Sequence, residues 1–519
     1  MEATINDASI LIAVVVILAS LWTAGILKLA NSLWLRPKRL EETLRKQGLR
    51  GNHYRLLFGD IRDLVALAKH HQPKSIQISE DPTAHALPYY HRHGIKYGQN
   101  SFIWFGTSPR LVITEPTLLK EILAKPDVFH KIRPDPIGET AAGGLLYLED
   151  HKWATHRRIV SPAFHIDKLK KMVPTMWLSC RKMVEKWESS STAAVDVWPE
   201  LQDLTGDVIS RTAFSSSHEE GWRIFELQKE LVHLILEILI FTFIPGWRYI
   251  PTKANRRMKT ISNEIHTLLR GIIDQREKAI ARGEAIEEDL LSTLMESNKK
   301  EIQEHGNKKS AGGMNIEEVI EECKLFYFAG SETTSSLLVW TMVMLSIHQD
   351  WQARAREEVL QVFGKQAPTF DGLNHLRTVT MILYEVMRVY TPVPLLARSI
   401  TKPIQLGDMK LPVGVDLLLL PGLIHHDPKI WGDDVEEFKP ERFSEGILRA
   451  SKSPFAFTPF SSGPRVCIGQ HYAMIEAKIA IATILQHFSF ELSKSYLHAP
   501  FAILTLQPQY GAPLLLHKL

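Results

Sequence analysis

Only three cysteines and very little net charge are present in the 519 residues of the chain. The cysteines are Cys180, Cys323 and Cys467, an odd number without a C-x-x-C pair, which disfavours a disulfide framework and a thiolate-rich zinc site. Lys and Arg number 61 against 58 Asp and Glu, a balance that excludes a polycation that coats nucleic acid. The apolar share of 45% excludes a disordered chain. A cysteine that carries chemistry here acts alone.

The N-terminus has no charged residue between Asp7 and Lys28. About twenty helical residues span about 30 Å, the hydrocarbon thickness of a bilayer. Acidic residues precede this stretch and basic residues follow it, which favours an uncleaved anchor with its C-terminal side in the cytosol over a signal peptide or a buried core helix. We expect Arg36-Pro37-Lys38 to end the helix. We therefore predict a membrane anchor at residues 1–35, followed by a single domain at residues 36–519.

The body of the chain contains no sequence repeat and no linker long enough to divide it. Amphipathic stretches with a helical period predominate, as in residues 354–363 and 381–390. Strand patterns are short and form three candidate hairpins, at residues 102–105 with 111–114, 404–406 with 409–411, and 501–507. The sequence therefore predicts a mainly α fold with small β-sheets.

Residues 315–348 form the most informative predicted helix. Asn315 followed by Glu318 resembles a capping box, and no proline interrupts the segment. Its middle is apolar on nearly all sides, which is typical of a helix that crosses a protein interior. Two interpretations of the polar centre remain open. Gly330 is a packing glycine with hydroxyls bonded back to the preceding turn, or the helix opens locally and Glu332 and Thr333 transfer protons.

Cys467 stands just before another predicted helix, in a loop with Gly463 before it and Gly469 after it. Glycines let backbone N–H groups approach the sulfur, and a helix N-terminus adds partial positive charge. We therefore expect a lowered thiol pKa and a stabilised thiolate. From these residues alone, Cys467 is either an inert buried thiol, a nucleophile or a metal ligand.

Several segments resemble signatures of the cytochrome P450 superfamily, in the family's order along the chain. The haem-binding signature is matched by Phe460, Gly463, Arg465, Cys467 and Gly469. The oxygen-activation signature is matched by Ala329, Gly330, Glu332, Thr333 and Thr334. The family's buried Glu–Arg–Arg cluster is matched by Glu385, Arg388 and Arg442. Residues that meet haem propionates in the family are matched by Trp153, Arg157 and Arg398.

The resemblance implies a cytochrome P450 fold behind a single transmembrane helix, with haem b as the cofactor and Cys467 as the iron ligand. Haem contacts are implied for Phe460, Gly463, Arg465, Gly469, Trp153, Arg157 and Arg398, and proton transfer is implied for Glu332 and Thr333. No dinucleotide-binding motif is apparent, so electrons are implied to come from a separate NADPH–cytochrome P450 reductase. The resemblance further implies a monomer in the endoplasmic reticulum membrane, with a cytosolic catalytic domain. It would contact membrane lipid and an apolar small molecule, and no nucleic acid.

A closer similarity to plant members of the seventy-two clan extends over residues 34–39, 321–328 and 498–500. It implies a haem-thiolate monooxygenase that hydroxylates or oxidises a terpenoid, steroid or hormone scaffold with O2. The alternatives are a peroxide isomerase and a haem-binding sensor without turnover. The presence of Thr333 favours monooxygenation.

The sequence departs from the family pattern at two places. Thr391 stands where the family often has a proline, and we expect it to border the substrate pocket. Ser461-Ser462 replaces a glycine-containing pair near the thiolate, where it is expected to change hydrogen bonding to the sulfur. By family analogy, the pocket-lining candidates are residues 143–147, Phe326, Ala329, residues 393–396 and residues 501–504.

Overall fold

The computed structural model describes residues 2–70, 75–78, 80–98, 100–132, 143–190, 194–215, 218–283, 289–305, 312–502 and 504–519. The helices are α1 (Glu2–Ala30), α2 (Arg36–Lys46), α3 (Ile61–His70), α4 (Pro82–Ala86), α5 (Pro88–Tyr97), α6 (Pro116–Ala124), α7 (Asp150–Val160), α8 (Ile166–Ser189), α9 (Val197–Phe214), α10 (His218–Ile238), α11 (Lys253–Ala281), α12 (Leu290–His305), α13 (Ile316–Ile347), α14 (Gln349–Phe363), α15 (Phe370–Leu373), α16 (Arg377–Val389), α17 (Pro421–His425), α18 (Pro428–Trp431) and α19 (Gln470–His487). The strands are β1 (Arg50–Gly51), β2 (Ser101–Phe105), β3 (Ser108–Ile113), β4 (Phe129–Lys131), β5 (Ala194–Asp196), β6 (Leu396–Ile400), β7 (Ile404–Leu406), β8 (Met409–Leu411), β9 (Asp416–Leu419), β10 (Phe488–Leu492), β11 (Pro500–Ala502), β12 (Leu506–Pro508) and β13 (Pro513–Lys518).

The strands form small sheets beside a helical body. A six-stranded sheet has the order β1-β2-β3-β9-β6-β4, and a three-stranded sheet has the order β10-β13-β5. The pairs β7-β8 and β11-β12 form two-stranded ribbons. In the predicted first hairpin, Phe102 of β2 lies opposite Leu111 of β3, and the two ribbons are the other predicted hairpins. The predicted mainly α fold with small sheets is confirmed.

Helix α13 crosses the interior of the protein, as its apolar sequence predicts. The predicted capping box is present, because Asn315 Oδ1 accepts the Glu318 N–H at 3.0 Å and Glu318 Oε2 accepts the Asn315 N–H at 2.9 Å. Further along, the buried Trp340 ring stacks on buried Tyr390 with 4.3 Å between ring centroids. Trp340 Nε1 also donates to Leu506 O at 2.8 Å. These contacts fasten strand β12 to the central helix.

The expected helix end at Arg36-Pro37-Lys38 is wrong, because α2 continues through this segment to Lys46. A π-helical turn, Asn31–Leu35, precedes it, and the Arg36 N–H bonds to Asn31 O five residues back. Proline has no N–H to bond the carbonyl four residues earlier. That carbonyl, Leu33 O, instead accepts a hydrogen bond from Tyr54 Oη at 2.6 Å. A tertiary contact therefore provides the partner that Pro37 lacks.

Residues Ser9–Lys46 form the one helix in the described part of the chain that is long and apolar enough to cross a membrane. Its most apolar stretch is fully exposed. By contrast, Pro37, Leu40 and Leu44 of α2 are buried, so the end of this helix packs onto the body. The domain boundary between residues 35 and 36 stays a prediction.

The predicted Glu–Arg–Arg cluster is confirmed. Glu385 binds Arg388 one turn later on α16 through two hydrogen bonds of 2.8 Å, and Arg442 Nε lies 3.4 Å from Glu385 Oε1. Glu385 and Arg388 have 0% exposure, so the charges interact in a low dielectric. Arg388 Nη1 also donates to His425 O at 3.1 Å. The cluster ties α16 to residues 425–442, the stretch that leads to the loop of Cys467.

Replacing Glu385 by alanine leaves the buried Arg388 guanidinium without a counter-charge. We expect the free energy of unfolding, measured by chemical denaturation, to fall by about 3–5 kcal/mol. The control is Glu445→Ala, which removes the exposed pair with Arg449, 3.4 Å apart, and should cost less than about 1 kcal/mol. Equal losses in the two variants would contradict the structural role of the cluster.

Candidate functional site

Cys467 lies in the turn before α19, and Gly469 is the N-cap of that helix. The Cys467 N–H donates to Phe460 O at 2.9 Å, which closes the segment into a loop. Cys467 is exposed, whereas Cys180 and Cys323 are buried. Burial raises the thiol pKa of both buried cysteines. Among the three sulfurs, that of Cys467 is therefore the one that a ligand can reach.

Solvent can reach the Cys467 side chain, but protein atoms surround it on most sides. This enclosure raises the pKa of its thiol, while the Gly469 N–H and the charges of Arg157 and Lys131 act in the opposite direction. The expected lowering of the pKa is therefore wrong for the chain by itself, because burial outweighs these three groups. A metal cation at the sulfur would add the charge that makes the thiolate the stable form.

Two residues of the loop have a positive φ, namely Ser461 at 62° and Gly463 at 72°. A Cβ atom at Gly463 would lie 2.3 Å from Leu123 O, so the loop's close approach to α6 requires glycine. Ser461 is buried at its hydroxyl, which has no hydrogen-bond partner among the described residues. Ser461 therefore makes no hydrogen bond to Cys467 among the described residues, and for Ser462 the expected change in hydrogen bonding stays a prediction. At Ser461 the structure shows an effect on the backbone, since a non-glycine residue holds a left-handed conformation.

Basic side chains collect beside Cys467. Lys131 on β4 lies directly opposite Arg398 on β6, an arrangement that is destabilising for like charges. Burial, followed by the charges of Arg398 and Arg465, lowers the pKa of Lys131 to about 7. Burial and the charge of Arg465 lower the pKa of Arg398 to about 10. The carboxylate of Glu149 pairs with Arg465 and balances only part of this charge. The excess cations fit the two carboxylates of a haem.

Helix α7 holds the cysteine loop through the predicted Trp153 and Arg157. Arg157 Nη1 donates to Val466 O at 3.0 Å. The Arg465 guanidinium lies 4.2 Å from the centroid of the Trp153 ring, a cation–π contact. The structure therefore brings together predicted haem-contact residues that lie some 300 positions apart in the sequence.

The centre of α13 remains α-helical, since the helix runs without interruption from Ile316 to Ile347. Thr333 Oγ1 donates to Ala329 O at 2.8 Å, and a Cβ atom at Gly330 would lie 2.9 Å from Ile209 Cδ1. These are the features of a packing glycine with back-bonded hydroxyls, and the alternative of a locally opened helix is wrong. Ala329 is nevertheless exposed and Thr333 half-buried, so packing does not cover this face of the helix.

Glu332 lines a cavity of about 190 Å³ between α9, α10 and α13. Its Oε1 accepts hydrogen bonds from Thr505 Oγ1 at 3.1 Å and from Gln507 Nε2. Burial raises the pKa of this carboxyl, although both hydrogen bonds and the charge of Lys229 oppose the shift. Lys229, His233 and Gln507 also line the cavity. Glu332 therefore has polar neighbours on the side that leads away from Thr333.

Thr391 does not border a pocket, and that expectation is wrong. It is fully buried, its hydroxyl donates to Met387 O at 3.0 Å, and it lies 2.7 Å from His425 Nδ1. His425 Nε2 in turn accepts the Thr458 N–H at 3.4 Å. A hydroxyl thus connects the end of α16 to the segment before the cysteine loop, a connection that a proline at residue 391 cannot make.

The pocket candidates lie in different surroundings, with Ala329 exposed on α13 and Leu504 lining the cavity of Glu332. Phe326 is buried and packs edge-on against Phe164 with 5.8 Å between ring centroids, so it belongs to the core. Leu145 packs with Leu325 in a small apolar cluster. Residue 503 lies outside the described residues.

Sequence reasoning missed Lys131 and Glu149 beside the cysteine, and Thr505 and Gln507 beside Glu332. No local motif marks any of them. Lys131 meets Arg398 through strand register, and the chain's tail returns to α13 through the Leu506 carbonyl. These juxtapositions arise between segments far apart in the chain.

Comparison with known proteins gives the family and the relatives to which the chain is similar. Residues 77–510 match the family described as Cytochrome P450. Cytochrome P450 72A397 of Kalopanax septemlobus is 52% identical over 496 residues, 95% of this chain and 95% of that protein. Cytochrome P450 CYP72A219 of Panax ginseng is 50% identical over 524 residues, 100% of both chains. The 7-deoxyloganic acid hydroxylase of Catharanthus roseus is 50% identical over 523 residues, 99% of this chain and 100% of that protein.

Replacing Gly463 by alanine should displace the cysteine loop, because the new Cβ atom would clash with the Leu123 carbonyl. Gly446 is a matched control, with a φ of 86° and no atom within 4 Å of a built Cβ. Both substitutions carry the penalty of a left-handed alanine, about 1 kcal/mol, visible as a small fall in melting temperature. We expect only Gly463→Ala to lose most of the bound haem, measured by absorbance per protein. Equal haem content in both variants would contradict the steric argument.

Proposed function

The chain belongs to the cytochrome P450 family, and from that premise we propose that it hydroxylates or oxidises a plant metabolite with a terpenoid, steroid or hormone scaffold. Family membership makes the chain a haem-binding monooxygenase. It also confirms the resemblance to the seventy-two clan, since relatives named Cytochrome P450 72A match nearly the whole chain. The proposal adds the class of substrate, and similarity to a hydroxylase of 7-deoxyloganic acid supports it.

The observation that carries this proposal is the chemistry of the surfaces around Cys467. Ile468, the next residue, packs with Trp153 and Phe328 against the apolar cluster of Leu145 and Leu325. Side chains of this kind bind an apolar molecule by removing its surface from water. The one reachable sulfur is therefore flanked by an apolar wall, which suits a hydrocarbon scaffold.

Haem, when bound, supplies the activation of O2 that a thiolate ligand favours. In the proposed arrangement Cys467 ligates the iron, and Arg157, Arg398 and Arg465 neutralise the propionates. The loop residues Phe460, Gly463 and Gly469 and the ring of Trp153 complete the contacts. Each of these roles rests on its position around the sulfur and on the family signature.

Glu332 and Thr333 are proposed to deliver protons during the reaction. Thr333 offers its hydroxyl on the uncovered face of α13, beside exposed Ala329. Glu332 directly precedes Thr333 in the helix and lines the cavity together with Lys229 and Gln507. Burial raises the pKa of this carboxyl and so favours its protonated form compared with an exposed glutamate, and a carboxyl followed by a hydroxyl is a combination suited to proton transfer.

The partners and location belong to the same proposal. The family acts on small molecules with electrons from a redox partner, and we propose NADPH–cytochrome P450 reductase for this role. Residues 1–35 would anchor the chain in the endoplasmic reticulum membrane, in contact with lipid. Residues 36–519 would form a monomeric catalytic domain in the cytosol. The exposed apolar helix supports the anchor.

The carbon-monoxide difference spectrum of the reduced protein tests the thiolate assignment. We expect the absorption band of thiolate-ligated haem in the wild type, and its loss in Cys467→Ala. Cys180→Ala and Cys323→Ala are the controls, and both should keep the band because their sulfurs are buried. A band that survives Cys467→Ala would overturn the proposal. Turnover without reductase would instead indicate a peroxide isomerase, and haem binding without any turnover would indicate a sensor.

Replacing Thr333 by alanine should raise hydrogen peroxide release relative to oxidised product several-fold, because proton delivery is impaired. The measurement is NADPH consumed, peroxide formed and product formed in a reductase-coupled assay. Thr341→Ala is the matched control, since Thr341 is buried on the same helix and its hydroxyl makes the same bond four residues back, to Leu337 O at 2.7 Å. Unchanged coupling in Thr333→Ala would contradict the relay.

A further inference from the structure

A buried carboxylate joins three elements near the cysteine loop. Glu322 on α13 has 0% exposure and His156 on α7 has 3%. Glu322 Oε1 lies 2.6 Å from His156 Nδ1, and Glu322 Oε2 accepts the Leu145 N–H at 3.1 Å. A carboxylate only accepts hydrogen bonds, so the ring nitrogen donates. One side chain therefore connects the central helix, the helix of Trp153 and Arg157, and the segment of Leu145.

The backbone near Leu145 is shaped to admit this carboxylate. Gly144 has a φ of 56°, and a Cβ atom there would lie 2.7 Å from Glu322 Oε2. A Cβ atom at Gly143 would lie closer than any real contact to Glu321 Oε2. The two adjacent glycines thus face two adjacent carboxylates of α13. A side chain at residue 144 would push the loop away from the helix.

Leu145 packs against apolar side chains next to the cysteine loop. Leu145 is 7% exposed and forms an apolar cluster with Leu325, against which Ile468 and Phe328 pack. Ile468 follows Cys467 directly. The hydrogen bond from the Leu145 backbone to Glu322 therefore holds an apolar side chain against the loop of the reactive sulfur.

We infer that Glu322 and His156 are positioning residues, which hold Leu145 as an apolar wall of the substrate site. The inference rests on the proposed function and adds to it how a bulky apolar substrate is held. Neither residue touches the substrate or haem in this role. Their effect passes through the backbone of residues 144–145, because Glu322 accepts the Leu145 N–H and a buried carboxylate that loses its partners is costly.

The first test is hydrogen–deuterium exchange of the full-length protein. In Glu322→Leu we expect the peptide that contains Leu145 to exchange about tenfold faster, because its amide loses a buried acceptor. Glu322→Gln should restore protection, since the amide oxygen accepts from Leu145 and the amide nitrogen donates to the other tautomer of His156. Glu317→Leu is the matched control. Glu317 lies on the same helix as Glu322 and makes a similar 2.6 Å contact, to His266 of α11, but at the surface.

The second test asks whether Leu145 contributes to the binding of a bulky ligand. It measures the dissociation constants of two haem-binding azoles from the spectral shifts that they cause. Clotrimazole is bulky and apolar and reaches the wall, whereas imidazole is small and does not. We expect Glu322→Leu to raise the dissociation constant of clotrimazole about tenfold, equivalent to one buried hydrogen bond, and to leave that of imidazole unchanged. Glu322→Gln and Glu317→Leu should match the wild type for both azoles.

Unchanged exchange at Leu145 in Glu322→Leu, or an equal shift for both azoles, would overturn this inference. An equal effect of Glu317→Leu would overturn it as well. If Glu322→Leu does not fold, Gly144→Ala decides through the same two readouts, because its Cβ atom would displace the carboxylate. A wild type without the thiolate band would overturn the proposed function, whereas the exchange result judges the loop contact separately.

Discussion

The buried bond between Glu385 and Arg388 is the interaction on which the cysteine half of the protein depends. Its two charges are removed from water, so each requires the other. Arg442 approaches the same carboxylate, and Arg388 also binds His425 O. The segment from His425 to the cysteine loop is irregular over most of its length, and this ion pair gives it a fixed start. Thr391 reinforces the same junction through His425.

The loop that follows has an unbalanced charge. Lys131 lies opposite Arg398, with Arg465 nearby, and burial together with repulsion among these cations lowers the pKa values of Lys131 and Arg398. In the proposed arrangement a haem with two carboxylates would relieve this repulsion, so that cofactor binding and stability of the fold would be linked. The same cations oppose the effect of burial on Cys467. Under the proposed function, one group of cations would therefore act on the propionates and on the thiolate together.

Much of the fold could be predicted because its signals are local. The Asn315 capping box, the short hairpins and the i, i+3 spacing of Glu385 and Arg388 are each contained in a few consecutive residues. Predictions were wrong where a distant partner overrides a local rule. Pro37 does not end its helix because Tyr54 bonds the carbonyl that proline leaves free.

The sequence by itself determined which cysteine stands in a glycine-flanked loop at a helix start, and the family resemblance, also contained in the sequence, implied iron at Cys467. It also determined the central helix and its polar centre. Only the tertiary structure decided that Lys131 faces Arg398, that Glu332 is held by Thr505 and Gln507, and that Glu322 binds the Leu145 backbone. Each of these contacts joins side chains or backbone groups from separate elements. Their geometry follows from how the helices and strands pack, and no local pattern encodes it.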